Sequence, residues 1–598
     1  MGKILTIMKR YIFLVLASVY YSFNVNAAKV DYELNMTMPN SHYFEVKMNI
    51  TDLKAKSIDI KMPVWAPGSY LIREFAKSVN LVTAKDANGK SLVVKKSNKN
   101  TWTIETKGLK NVEVNYEVYA FELSVRTSFL DDSHGYINGT SMFMYVDGDR
   151  NHEGQLTVNP HSSFKKISTS LNRKGNVFTF ADYDELVDSP IEIGNQKEFY
   201  FEAAGVKHTI AMYGEGNYDI ERLKVDMAKV VEAETAVFND NPNEDYLFII
   251  HNLTVGSGGL EHKKSTTLEV QRWTYSEKDY LGFISLVAHE YFHLWNVKRL
   301  RPKALGPFDY SNENYTDLLW VMEGFTSYYD ELILRRAGFY SQDDYVNRLI
   351  GTINYVENQP GNKVQPVAHS SYDAWIKAYR RNENSINNGI SYYSKGQILA
   401  AMLDLYIINK FDGKKSLDDF MQKLYNDFYK KSDVGFTEDE FQQTLQDFIG
   451  EDVSWFIDNY VYDTKEIDYK KFFTAIGVDI HNSTPNASSF LGLRTRNKGG
   501  KLIITTVFKG SAAEAQGLSA NDEIIAVNGY RVDQSGFNFL TSDLKYEDSF
   551  DVLLSRDNIL KTYTIKMGER VSKSYKYKTN FTPENQQLFD YWLRVTVK

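Results

Sequence analysis

The chain of 598 residues has no cysteine at all. That excludes disulfides, thiolate metal ligands and a cysteine nucleophile, and it removes the attachment point of an acylated lipoprotein. Proline is scarce, at 12 residues, and histidine scarcer still, at 11. There is no excess of positive charge: the formal net charge is −8, which argues against nucleic acid as a partner. Beyond the first thirty residues no uninterrupted apolar run has the length of a membrane-spanning helix, so no stable membrane insertion is expected. Aromatics, by contrast, are abundant, with 41 Tyr and 35 Phe, a composition suited to pleated surfaces.

The first residues read as a secretory signal. Lys3, Lys9 and Arg10 precede an apolar stretch from Tyr11 to Tyr21, and Val25-Asn26-Ala27 offers small residues for cleavage. Cleavage after Ala27 removes three positive and no negative charges, taking the net charge from −8 to −11. The expected product is an exported protein of the bacterial periplasm.

The remainder divides by the period of its hydrophobic pattern. Residues 28–205 alternate apolar and polar positions, as in Tyr43 to Ile50 and Val112 to Val118, which predicts an all-β, sandwich-like domain. From 206 to 480 helical periods take over. Helices are expected over Ile220–Phe238, Asp279–Val297 and Asp317–Ala337, with a short apolar strand over Asp245–His251. Residues 486–570 return to strands around a run from Gly510 to Val532 that resembles the PDZ signature, and 571–598 read as a basic, then helical, tail. The fold class is multidomain α+β.

The chemistry is concentrated in His289-Glu290-Tyr291-Phe292-His293. On a helix, positions i and i+4 share a face, so both imidazoles can hold one metal ion. With so few histidines, composition alone gives this motif roughly one chance in a hundred. Glu323, thirty residues on, can complete a His2Glu zinc site, one ion per chain, with a fourth position open for catalysis. Glu290 is placed to act as general base and then acid. Asn296 is a candidate for orienting the ligands.

The extended string from His289 to Pro302 resembles the glycyl aminopeptidase family of zinc peptidases. So do Trp320 to Tyr329 and Pro63 to Glu74, and a PDZ domain after the catalytic region fits that family as well. The resemblance implies a thermolysin-like catalytic domain and release of small N-terminal residues, glycine and alanine preferred. It also implies two further site groups. Glu261, in Gly256-Ser-Gly-Gly-Leu-Glu-His262, would bind the substrate's α-amine, with Gly258 and Gly259 allowing close backbone approach. Tyr393, in Tyr392-Tyr-Ser-Lys-Gly396, would support the oxyanion.

Other assignments stay open at this level. Tyr70 and Arg73 either reach the cleft or belong to a structural turn, and His262 either supports the site or is structural. The partners implied are peptides with a free N-terminus and, at the PDZ domain, the C-terminal end of a peptide. Phe490-Leu-Gly-Leu493 is a loose version of the carboxylate-binding loop there, and Asn521 stands where a glycine is usual. A PDZ-assisted endopeptidase and an inert binding protein are the competing readings.

Overall fold

A computed structural model describes residues 28–483, 488–570 and 572–597. The signal-sequence expectation therefore lies outside the described residues. Among the described residues no helix is long and apolar enough to cross a membrane.

Period-two alternation builds the first domain as the sequence predicts. Strand Tyr43–Thr51 buries Phe44, Val46, Met48 and Ile50 and sends the residues between them outward. It lies inside a seven-stranded sheet, between Lys29–Asn35 and Val112–Tyr119, antiparallel to both. Two smaller four-stranded sheets complete the β-rich layer. Its core is a separate hydrophobic cluster from that of the catalytic region.

The catalytic region opens with a five-stranded mixed sheet. Strands Val206–Tyr213, Asp245–Leu253 and Ser265–Gln271 run parallel, and Ser257–Glu261 closes one edge antiparallel to the last of them. Helix Ile220–Phe238 forms as expected, capped by Asp219, and packs on the sheet together with the helix Tyr280–Phe292.

Two predicted helices are shorter than their hydrophobic patterns. The first ends at Phe292, not Val297, because the chain turns so that the Asn296 carbonyl accepts from His293 Nδ1 at 2.8 Å. The second is broken at Glu323 into Leu319–Met322 and Gly324–Arg336. Asn296 Nδ2 donates to the carbonyls of Val321 and Met322, and Thr326 Oγ1 also donates to Met322 O, pulling that turn out of register. One side chain thus shapes both segments that carry the motif residues.

The PDZ region is a six-stranded sheet with its own core, including Leu502, Ile504, Leu518, Val552 and Leu554. Asn521 takes the left-handed conformation, φ +71°, in place of the usual glycine. The segment after 571 is not an appended tail. Strand Tyr575–Thr579 pairs with Val478–Asn482, and helix Pro583–Trp592 buries Phe589 and Trp592 in the catalytic core. The PDZ region is thus an insertion between two parts of one folded unit.

Trp592 Nε1 donates to Tyr328 Oη at 2.9 Å, on the helix that follows Glu323. Trp592→Ala is expected to cost about 3–5 kcal/mol, as for other buried Trp truncations. Thermal unfolding followed by circular dichroism should show a clearly lowered midpoint. An unchanged midpoint would mean the final helix contributes little to the catalytic unit.

Candidate active site

The two histidines come from the last turn of Tyr280–Phe292 and its C-cap, and Glu323 comes from the helix break. His289 Nε2 and His293 Nε2 are 3.2 Å apart, and Glu323 Oε2 lies 3.5 and 3.3 Å from them. Three ligands held 2.0–2.1 Å from a tetrahedral zinc are about 3.3–3.4 Å from one another, so the spacing fits a metal. Glu323 Oε2 is buried and has no hydrogen-bond partner, as expected of an oxygen reserved for an ion. The neighbouring imidazoles outweigh burial and hold the Glu323 carboxyl down, at about 2.

Both imidazoles are oriented from behind. His289 Nδ1 meets Asp330 Oδ2 at 2.9 Å and His293 Nδ1 meets the Asn296 carbonyl, which leaves the Nε2 atoms to face inward. Asp330 was not anticipated from sequence. It stands two helical turns after Glu323, and that spacing is the signal that could have found it.

Glu290 faces the same cavity and is 5% exposed. Burial pushes its carboxyl up, to about 7, against the pull of the two histidines. Gly259 packs directly against it, since a Cβ there would fall 2.4 Å from Glu290 side-chain atoms and displace them. Gly258, at φ +121°, needs glycine for its backbone conformation. Both line the cavity on the edge strand, which ends at Glu261.

Glu261 is brought to the metal ligands: its carboxylate, that of Glu290 and His293 lie within 4.8 Å of one another. Behind it stands the turn Ala66–Ser69. A Cβ on Gly68 would sit 2.5 Å from Glu261 Oε1, so the turn closes this end of the cavity. The Pro-Gly-Ser-Tyr loop thus reaches the site through Gly68. Tyr70 is instead buried against Trp375 and Tyr379, and Arg73 turns away to Ser69 Oγ. His262 also points elsewhere, pairing with Asp188 at 3.1 Å.

Tyr393 lines the cavity, with its ring centroid 6.1 Å from that of His289. Burial, reinforced by Glu323, keeps its phenol well above the ordinary value and therefore protonated, able to donate. Its position depends on a glycine crossing. A Cβ on Gly324 would fall 2.4 Å from Gly396 Cα, so the helices meet backbone to backbone and Tyr392–Lys410 starts beside Glu323. Tyr379, Arg126 and Glu269 also line the cavity, and none carried a local sequence signal.

The chain is similar to known proteins over most of its length. Residues 31–195 match the Peptidase M61 N-terminal domain, 282–399 the M61 glycyl aminopeptidase domain and 480–538 a PDZ domain. The crystal structure of an aminopeptidase N family protein from Idiomarina loihiensis is similar at 30% identity and a TM-score of 0.88, over 94% of this chain and 100% of that one. More distant likenesses include an M1 zinc metallopeptidase from Deinococcus radiodurans, at 12% identity and a TM-score of 0.47, covering 75% of this chain and 97% of that one. Leukotriene A4 hydrolase from Saccharomyces cerevisiae is another, at 12% identity and 0.43, over 75% and 68% of the two chains. Among curated proteins the search finds no match. The chain belongs to the M61 glycyl aminopeptidase family and is a metallopeptidase of the aminopeptidase type.

Proposed function

We propose an exported, zinc-dependent aminopeptidase that removes small N-terminal residues, glycine and alanine first, from peptides in the periplasm. The observation that carries this reading is Glu261. A buried carboxylate stands beside the metal ligands, with Gly68 packed against it, which suits a terminal ammonium and gives a blocked N-terminus no such contact.

His289, His293 and Glu323 would hold one zinc. When bound, that ion lowers the pKa of water and polarises a carbonyl. Glu290 takes the proton of the attacking water on its carboxylate and delivers it to the leaving amine. The Tyr393 hydroxyl donates to the oxyanion that develops on the scissile carbonyl. Gly258 and Gly259 let the substrate backbone lie against the edge strand, and Glu261 accepts hydrogen bonds from the α-ammonium. Tyr379, whose hydroxyl reaches the Gly68 carbonyl at 3.4 Å, walls the anchor side with an aromatic ring and supports the small-residue preference. The PDZ region offers the outer edge of Leu493–Lys498, next to helix Gln534–Ser542, to an extended peptide end.

The test is hydrolysis of aminoacyl-p-nitroanilides and their N-acetylated twins, with and without a chelator. Chelator-sensitive cleavage of the free glycyl and alanyl substrates alone is expected. Cleavage of the blocked twins would point to an endopeptidase, and cleavage of neither to a binding protein. In the same assay Glu261→Gln should lose about tenfold or more in kcat/KM, because a hydrogen bond to a charged group contributes about 1.5–3 kcal/mol. Equal rates for the variant and the parent would remove Glu261 from the anchor role.

A further inference from the structure

One cation faces this otherwise acidic cavity. Arg126 comes from the β-rich domain, on the connection between strands Val112–Tyr119 and Phe129–Leu130, and it is the only Lys or Arg lining the cavity among the described residues. It shares the lining with Glu261, Glu269, Glu290, Glu323 and Asp330. Yet its guanidinium forms no ion pair or side-chain hydrogen bond with any described residue, and its Nε is buried without a partner. A half-buried guanidinium with unspent donors calls for an acceptor from outside the chain.

The edge strand fixes where Arg126 stands along a substrate. Glu261 marks the amine end. Gly259, two residues back, lies against Glu290, the general base. Gly258, one further back, lies against Arg126, whose Nη2 is 4.0 Å from the Cβ position of that glycine. The order is therefore anchor, scissile position, Arg126, which puts the guanidinium on the leaving-group side. From Glu261 to Gly258 is three strand residues, about 10 Å. An extended peptide spans about 3.3–3.6 Å per residue, so the carboxylate of a di- or tripeptide reaches Arg126 when its amine is at Glu261.

We infer that Arg126 binds the C-terminal carboxylate of short peptides, so that substrates of two or three residues are held at both ends. A planar guanidinium matches a carboxylate with two parallel hydrogen bonds, which a backbone carbonyl of a longer chain cannot supply. The nearest internal rival is Glu269, cross-strand from Gly258. Burial lifts its carboxyl to about 7 despite the opposing pull of Arg126, so it is a weak counter-charge and leaves the guanidinium available. Arg73 also stands near Arg126, but it is engaged with Ser69 and has Glu122 as its own nearby carboxylate. The inference rests on the aminopeptidase reading above and names the substrate class within it.

The experiment compares kcat/KM for Gly-Ala-Ala, its C-terminal amide and a hexapeptide beginning Gly-Ala-Ala, in the parent, Arg126→Gln and Arg126→Lys. In the parent the free acid should exceed the amide by about tenfold or more, chiefly through KM, with the hexapeptide resembling the amide. Arg126→Gln should bring acid and amide within about twofold, and Arg126→Lys should keep part of the preference, since a point charge remains. The ratio is internal to each variant, so a general loss of activity does not mimic the effect. Acid and amide cut equally by the parent, or an undiminished preference in Arg126→Gln, would overturn the assignment. If Arg126→Gln does not fold, the parent's ratio and the Lys variant decide. A parent that cuts all three peptides equally keeps the aminopeptidase and loses only this proposal. One that cuts none of the three, while cutting N-acetylated twins run beside them, loses the reading beneath it.

Discussion

Replacing Glu290 with glutamine should lower kcat/KM on glycyl and alanyl substrates by about 10²–10⁴-fold, the usual contribution of a positioned general base. The amide is isosteric with the carboxylate, so it occupies the same space against Gly259 without strain. It cannot accept the proton of the attacking water, and it cannot return one to the leaving amine. Glu290 is not among the three groups whose spacing fits the ion, so metal content should stay at the parent's level. The loss should fall on kcat with KM little changed, because the interaction is made in the transition state. Steady-state kinetics with metal analysis of the same preparation checks both parts. A loss smaller than about tenfold would place the base elsewhere, with Glu261 as the next carboxylate in reach.

The elements that were readable from the sequence are those fixed by local periodicity. The i, i+4 placement of His289 and His293 follows from helix geometry, and the alternation in Tyr43–Thr51 follows from the pleat. The β-rich domain was legible for the same reason, and the PDZ domain through the resemblance of Gly510 to Val532 to its signature. What escaped depends on contacts between residues far apart in the chain. Both helix breaks at the site trace to Asn296, whose partners Val321 and Met322 lie on another segment. Hydrophobic periodicity continues through each break, so pattern alone ran the helices on. Strand Tyr575–Thr579 could not be assigned because its partner, Val478–Asn482, lies on the far side of the PDZ insertion. The glycine pair Gly324 and Gly396 was visible only as part of two motifs, and its reason, a backbone-to-backbone crossing, appears only when the helices meet. Gly68 lies in a loop whose sequence left contact with the cleft open, whereas nothing in the local sequence of Arg126, also from the β-rich domain, announces a contact with the cavity.

Metal removal should abolish activity altogether, and it should remove one equivalent of metal per chain, not two. The distinction matters because a second histidine–carboxylate cluster, His134, Glu192 and His251, is fully buried near the sheet of the catalytic region. Its distances are of a different kind. His134 Nδ1 lies 2.8 Å from Glu192 Oε1 and His251 Nε2 lies 2.9 Å from Glu192 Oε2. Those are hydrogen-bond lengths, each to a different oxygen, whereas tetrahedral zinc ligands stand about 3.3–3.4 Å apart and converge on one point. The two imidazoles outweigh burial and hold the Glu192 carboxyl below its usual value, as in a paired structural carboxylate. His293→Ala should therefore lose the bound metal and all detectable turnover while keeping the circular dichroism of the parent. His251→Ala should keep one metal per chain and lose stability, because it leaves a buried carboxylate short of a donor. Elemental analysis after dialysis, set beside thermal unfolding, separates the two. Two metals per parent chain, or a metal retained in His293→Ala and lost in His251→Ala, would move the metal centre from the peptidase cavity to the buried cluster.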